Sequence, residues 1–216
     1  MSGAPLEFRL SPATSALVVV DLQYGSAARG HGYDISHRTP ETAEVLDAYF
    51  DRVVNVAVPN VRRLLDAFRG AGATVIFLRV GPSGATVGEA PVGRKFRLGW
   101  AERTLPTPGE MDLLAEIAPK PGERIITKTS ASAFTTTNFE QVITDLGLEE
   151  LVFCGVATSY CVESTLRDAA DRGFCCMLVE DGCADAREEY HQMGVAISAR
   201  FARVASTDSV IEELVA

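Results

Sequence analysis

The sequence is short of basic residues, of histidine and of long apolar runs, and each shortage removes a class of function. Its 20 Lys and Arg stand against 29 Asp and Glu, a formal net charge of −9, and no long basic stripe offsets it. Nucleic acid is a poor partner for such a surface. No apolar run reaches the length a bilayer span needs, and the first residues lack the apolar core of a secretory signal. No membrane partner is therefore expected, and the cytoplasm is the expected compartment. The five cysteines all fall in the last third, without a CxxC pair or a companion His cluster. Neither a disulfide framework nor a structural zinc site fits that pattern. The three histidines are His31, His37 and His191; the first two share one loop with no obvious carboxylate pattern and read as solvated.

The sequence does contain short Val-rich runs alternating with helical periodicity. Ser15–Val20, Thr74–Arg79, Arg124–Thr127, Leu151–Cys154 and Cys175–Val179 read as strands, with a last short one near Val204. Continuous apolar runs of this kind suit strands buried on both faces of a parallel sheet. Thr42–Phe68 repeats its apolar residues every three or four positions, with Pro59 expected to kink or divide the helix. Further helices are expected over Met111–Ile117, from Asn138 to Leu146, from Cys161 to Ala170, over Glu188–Arg203 and from Asp208 onward. Leu22–Pro40 and Glu180–Asp185 read as loops. Val80–Pro108, rich in Gly and Pro, reads as an insertion that covers the site or mediates assembly, with a local basic patch at Arg94–Arg97. The alternation predicts one domain over residues 1–216, an α/β fold of three layers with a central, mostly parallel, Rossmann-like six-stranded sheet.

Three residues then share an address. Asp21, Lys128 and Cys161 each follow a strand at its carboxyl end, where open parallel sheets bind their ligands. Cys161 is expected where a helix begins, and there the helix dipole and unpaired backbone N–H groups favour a thiolate. An acid, a base and a thiol converging on one crevice make a nucleophilic site.

The stretches Leu17–Gln23 (LVVVDLQ), Thr127–Phe134 (TKTSASAF) and Gly155–Val162 (GVATSYCV), in that order, resemble the isochorismatase-like hydrolases, and among them the cysteine hydrolases. Val179–Asp185 is similar as well. The resemblance implies an Asp21–Lys128–Cys161 triad. Cys161 attacks an amide, carbamoyl or ureido carbonyl, Asp21 takes and returns the proton, and Lys128 orients Asp21. It also implies an oxyanion hole from the backbone N–H groups of Ala157 and Cys161, and a cis Val156–Ala157 peptide. The metal-binding nicotinamidases of the group carry His after the second strand; Leu78–Gly84 has none, so neither metal nor other cofactor is expected. The implied function is a metal-independent cysteine amidohydrolase of a small-molecule amide or ureide, working through a thioester. Isochorismatase-type vinyl-ether hydrolysis and a catalytically silent scaffold are the alternatives. Gln23, Tyr24, Phe134, Thr158 and Tyr160 are the candidate pocket residues, and packing behind the pocket wall is the other reading of each. Arg79 or a basic residue of the 94–97 stretch is the candidate ligand for a substrate carboxylate. A homodimer or homotetramer is expected.

Overall fold

The computed structural model describes residues 7–81 and 109–216. The basic patch at 94–97 and most of the expected insertion lie outside them. Six strands, β1 (Ser15–Val20), β2 (Thr74–Val80), β3 (Arg124–Lys128), β4 (Glu150–Val156), β5 (Cys175–Ala184) and β6 (Arg203–Ala205), form one sheet in the order β3-β2-β1-β4-β5-β6. Every pairing is parallel. The order reverses between β1 and β4, and a crevice at such a switch point opens at the carboxyl ends of those two strands. Both are buried along their whole length, which is why their sequences are apolar without alternation. The edge strand β3 is more exposed, with Ile125 facing solvent.

Helices cover the sheet. After β1 come α1 (Tyr24–Ala27), α2 (Gly32–His37), α3 (Ala43–Arg52) and α4 (Val58–Gly70). After β3 come α5 (Ala133–Thr136) and α6 (Phe139–Asp145), then α7 (Glu163–Asp171) after β4, α8 (Glu188–Ser198) after β5 and α9 (Thr207–Val215) at the end. Helix α4 packs on β1 and β2 and against α9, while α7 and α8 pack on each other and on β5. The core of Phe50, Phe68, Phe77 and Phe153 with Val18, Val19, Val20, Val152 and Val179 is fully buried.

One sequence expectation holds here and three change. The long 42–68 helix is interrupted by one wide turn, Val53–Ala57, where the Val58 N–H bonds back to Val53 O. Pro59 follows in the first turn of α4, so the stretch divides beside the proline, which lacks the N–H that would continue the ladder of the preceding turn. The 22–40 loop contains two short helices, α1 and α2. Only Ala115–Ile117 turns helically in the 111–117 stretch, as one tight turn. The expected 180–185 loop is instead a bulge within β5: Phe153 pairs with Leu178, and pairing resumes with Gly155 opposite Cys183. Asp181 inside that bulge accepts bonds from the Thr207 N–H and hydroxyl (both 2.8 Å), tying the bulge to the start of α9.

Candidate active site

Strand register brings Asp21 and Lys128 to neighbouring rungs of the crevice. Val20 pairs with Leu78 and Val80 pairs with Lys128, so Asp21 leaves β1 one rung below the end of β3. Asp21 adopts a left-handed backbone (φ 51°) while its N–H still bonds Leu78 O at 2.9 Å. Asp tolerates that conformation better than most residues, and it occurs preferentially at functional turns. The turn breaks the strict up-down alternation of the strand and aims the carboxylate at Lys128. Lys128 Nζ donates to Asp21 Oδ2 at 2.7 Å and to Ser130 O at 3.2 Å. Both side chains are closed to solvent, at 0% and 3% exposure. The other carboxylate oxygen, Asp21 Oδ1, is buried and has no hydrogen-bond partner among the described residues. An acceptor kept dry and unspent in this way is available to a proton that arrives with the reaction.

The chain beyond Asp21 is clamped by residues 110–114, which run back along it. Leu114 N–H bonds Leu22 O, Tyr24 N–H bonds Asp112 O and Gly25 N–H bonds Glu110 O, at 2.8–3.0 Å. A Cβ on Gly25 would lie 2.8 Å from Glu110 O, so that approach needs glycine.

On the other side of the switch point, Gly155 (φ +118°) passes so close to β1 that a Cβ would lie 2.1 Å from Val20 O. The next peptide, Val156–Ala157, is cis. The chain then makes a wide helical turn, Thr158–Val162, before α7 begins at Glu163. Cys161 lies inside this turn rather than at the helix start, and is 4% exposed. The Thr165 hydroxyl donates to Cys161 O at 2.7 Å, fixing the turn to α7. Burial pushes the thiols of Cys154, Cys175, Cys176 and Cys183 up, those of Cys176 and Cys183 to about 12.

The candidate pocket residues separate. The Gln23 amide is spent on protein backbone: Nε2 donates to Val80 O (2.9 Å) and Glu110 O (3.3 Å), and Oε1 accepts from Val80 N–H (2.7 Å). Thr158 is fully buried with its hydroxyl on His191 Nδ1 at 2.8 Å. Phe134 lies under the Arg172 guanidinium (4.5 Å) and edge-on to Phe139. These contacts fix all three side chains in place. Tyr24 sits 5.1 Å from the His31 ring and borders a hollow of about 320 Å³ with Val53, Val58 and Arg62, which is not lined by Asp21, Lys128 or Cys161. His31 is not simply solvated: its Nδ1 pairs with Glu110 Oε1 at 3.0 Å. Tyr160, 37% exposed, is next to the thiol in the chain and reaches the surface. Arg79 Nε donates to Thr127 Oγ1 at 2.9 Å.

Four residues at the site were not singled out from sequence. Tyr49 comes from an apolar helical stripe; it is buried, its hydroxyl donates to Ser26 O at 2.9 Å, its ring lies edge-on to Tyr33, and burial pushes its phenol up. Asp185 accepts the Ser159 N–H at 2.7 Å, holding the turn between the cis peptide and Cys161. His191 and Arg52 stand behind Thr158. Only Asp185 had a signal, as the last residue of the Val179–Asp185 stretch; the others are brought in by tertiary packing. Among the described residues, no three His, Cys, Asp or Glu side chains form a group that could hold a metal ion, and no helix is long and apolar enough to cross a membrane.

Comparison with known proteins adds an independent line. A family model described as an isochorismatase domain matches residues 15–209. The ureidoacrylate amidohydrolase RutB of Pseudomonas syringae pv. syringae (strain B728a) is 29% identical over 94% of this chain and 85% of its own length. RutB of Variovorax paradoxus (strain S110) is 30% identical over 82% of this chain and 71% of its own. Among solved structures, a cysteine hydrolase from Pseudomonas syringae pv. phaseolicola 1448A has a TM-score of 0.81 at 21% identity, covering 99% of this chain and 98% of that one. An N-carbamoylsarcosine amidase from Thermoplasma acidophilum has a TM-score of 0.64 at 23% identity, covering 90% and 97%. At those identities the two structures speak to fold.

Proposed function

The chain belongs to the isochorismatase family, and from that premise we propose that it is a cysteine amidohydrolase cleaving a C–N bond of a small amide, carbamoyl or ureido compound. The observation that carries this reading is the dry Lys128–Asp21 pair with Asp21 Oδ1 unspent, at the carboxyl edge of the sheet from which the Cys161 turn also leaves, after β4. The similarity to ureidoacrylate amidohydrolases supports the ureide class.

The proposed course follows from the residue types. The Cys161 sulfur attacks the carbonyl carbon as the thiol proton passes to Asp21. Backbone N–H groups of Ala157 and Cys161 are the proposed donors to the oxyanion, where one such donor is worth about 3 kcal/mol of barrier. The C–N bond breaks, Asp21 returns the proton to the leaving nitrogen, and a thioester remains on Cys161. Water adds to the thioester, giving its proton to Asp21, and the C–S bond breaks to restore the thiol and release the acid. Lys128 stays protonated throughout; it holds Asp21 in place and balances its charge. Tyr160 remains a proposed substrate contact, and assembly as a homodimer or homotetramer is proposed with it.

The test is a panel of N-carbamoyl amino acids, ureidoacrylate-type ureides and simple amides, scored by ammonia release with wild type and Cys161→Ala. Turnover by the wild type that Cys161→Ala abolishes is expected. Ammonia release that survives in Cys161→Ala removes the thioester, and a wild type inert on every amide but active on a vinyl ether favours ether hydrolysis by Asp21.

A further inference from the structure

A second constellation, of Arg52, His191 and Thr158, packs against the nucleophile turn. His191 of α8 is 2% exposed. Its Nε2 lies 2.7 Å from Arg52 Nη2 and its Nδ1 lies 2.8 Å from Thr158 Oγ1. A guanidinium can only donate. Nε2 is therefore the acceptor, the ring proton is on Nδ1, and Nδ1–H donates to the Thr158 hydroxyl. Arg52 is itself fixed: its Nε donates to Cys183 O at 3.0 Å, on the stretch of β5 that pairs with Gly155 and Val156. Helix α8 is also seated against the turn by backbone. A Cβ on Gly194 would lie 2.8 Å from Ser159 N, 2.9 Å from its Cα and 3.0 Å from Thr158 C. No element of the proposed chemistry uses His191 or Arg52, yet the pair spans α3, β5, α8 and the turn that carries Cys161.

We propose that His191 is a positioning residue of the nucleophile turn, held in one tautomer by Arg52 so that its Nδ1–H fixes Thr158 and with it the backbone from Ala157 to Cys161. The arrangement explains why a threonine and a histidine are buried together: each satisfies the other, and the histidine reports the position of α3 to the turn. The role rests on the reading of Cys161 as nucleophile. The His191 ring does not touch the reacting atoms. It sets where the proposed oxyanion donors and the sulfur stand relative to Asp21, and catalytic geometry of that kind is sensitive to sub-ångström displacement.

The experiment uses Thr158→Val, Thr158→Ser and His191→Gln in the full chain. Thr158→Val keeps the shape and leaves the Arg52–His191 bond intact, so loss of folding is not its expected outcome. It should lower kcat by roughly ten- to a hundred-fold with KM within about two-fold, because the loss is one of alignment. Thr158→Ser, which keeps the hydroxyl, should restore most of kcat. His191→Gln keeps a donor and an acceptor on one side chain and should retain far more activity than Thr158→Val. Wild-type kcat in Thr158→Val, or a loss that Thr158→Ser shares in full, overturns the proposal. The rate of Cys161 alkylation by iodoacetamide, followed by mass, is a readout independent of any substrate. It should fall in Thr158→Val and recover in Thr158→Ser, and an unchanged rate overturns the positioning role even if the amidohydrolase reading itself fails on the amide panel.

Discussion

Lys128 Nζ stands 2.7 Å from Asp21 Oδ2, with β2 lying between their two strands and solvent excluded from both side chains. The pair is costly to bury and gains only if its charges stay matched. The left-handed turn at Asp21 meets that condition by bringing the carboxylate off its strand and onto the ammonium.

Lys128→Met should therefore be doubly damaging. It leaves the Asp21 carboxylate buried with its cation gone, a change that costs about 3–5 kcal/mol in comparable buried pairs. Urea unfolding should show that loss, and ammonia release should fall to background. A variant of near wild-type stability with intact turnover contradicts the role given to the pair.

Gly155→Ala tests the packing that sets the cis turn beside β1. The alanine needs φ near +118° and puts its Cβ 2.1 Å from Val20 O, part of the neighbouring backbone. Left-handed strain and a backbone collision together should cost about 3 kcal/mol or more. Thermal unfolding is the measurement; a midpoint equal to that of the wild type refutes the close approach.

Gly194→Ala acts from the opposite side. Its Cβ meets Ser159 N and Thr158 C, so α8 or the turn must give way by a few tenths of an ångström. A fall in kcat of roughly ten-fold or more is expected, with substrate affinity less affected. Equal kcat in the two proteins shows that the turn tolerates displacement.

Acid should also act through His191. Burial first, and the Arg52 guanidinium second, hold its imidazole below the ordinary histidine value, against weaker opposing effects of Glu188 and Asp185. As pH falls through about 6.5, the unfolded chain takes up a proton that the native state refuses. The stability from a neutral His191 is thus complete above that pH and is lost below it, down to the depressed native value. Urea midpoints measured at about pH 7.5 and about pH 5.5 should fall further in wild type than in His191→Gln. Parallel falls in the two proteins contradict this assignment.

Much of the frame was legible because local signals agreed with the tertiary result. Val-rich runs gave the central strands, and the acid and lysine that close two of them mark the crevice directly. The bulge in β5 was not legible, because Glu180–Gly182 carry turn-forming residues whose chain nevertheless rejoins the sheet beyond them. The helix start at Cys161 was displaced by a wide turn that the 3.6-residue period does not anticipate. The partners of Gln23 were not legible either, because both ends of its amide are bound to backbone that is distant in sequence. His191 shows no local motif; its meaning comes from Arg52 and Thr158, which only the fold brings to it.

The central claim, a thioester on Cys161, is most directly tested by quenching a turnover reaction in acid and mapping the protein by mass. A ureide or carbamoyl substrate that releases ammonia should leave an acyl adduct on the peptide containing Cys161 in the wild type, and none in Cys161→Ala, which should also release no ammonia. Steady ammonia release without an adduct on that peptide, continuing undiminished in Cys161→Ala, would contradict the account.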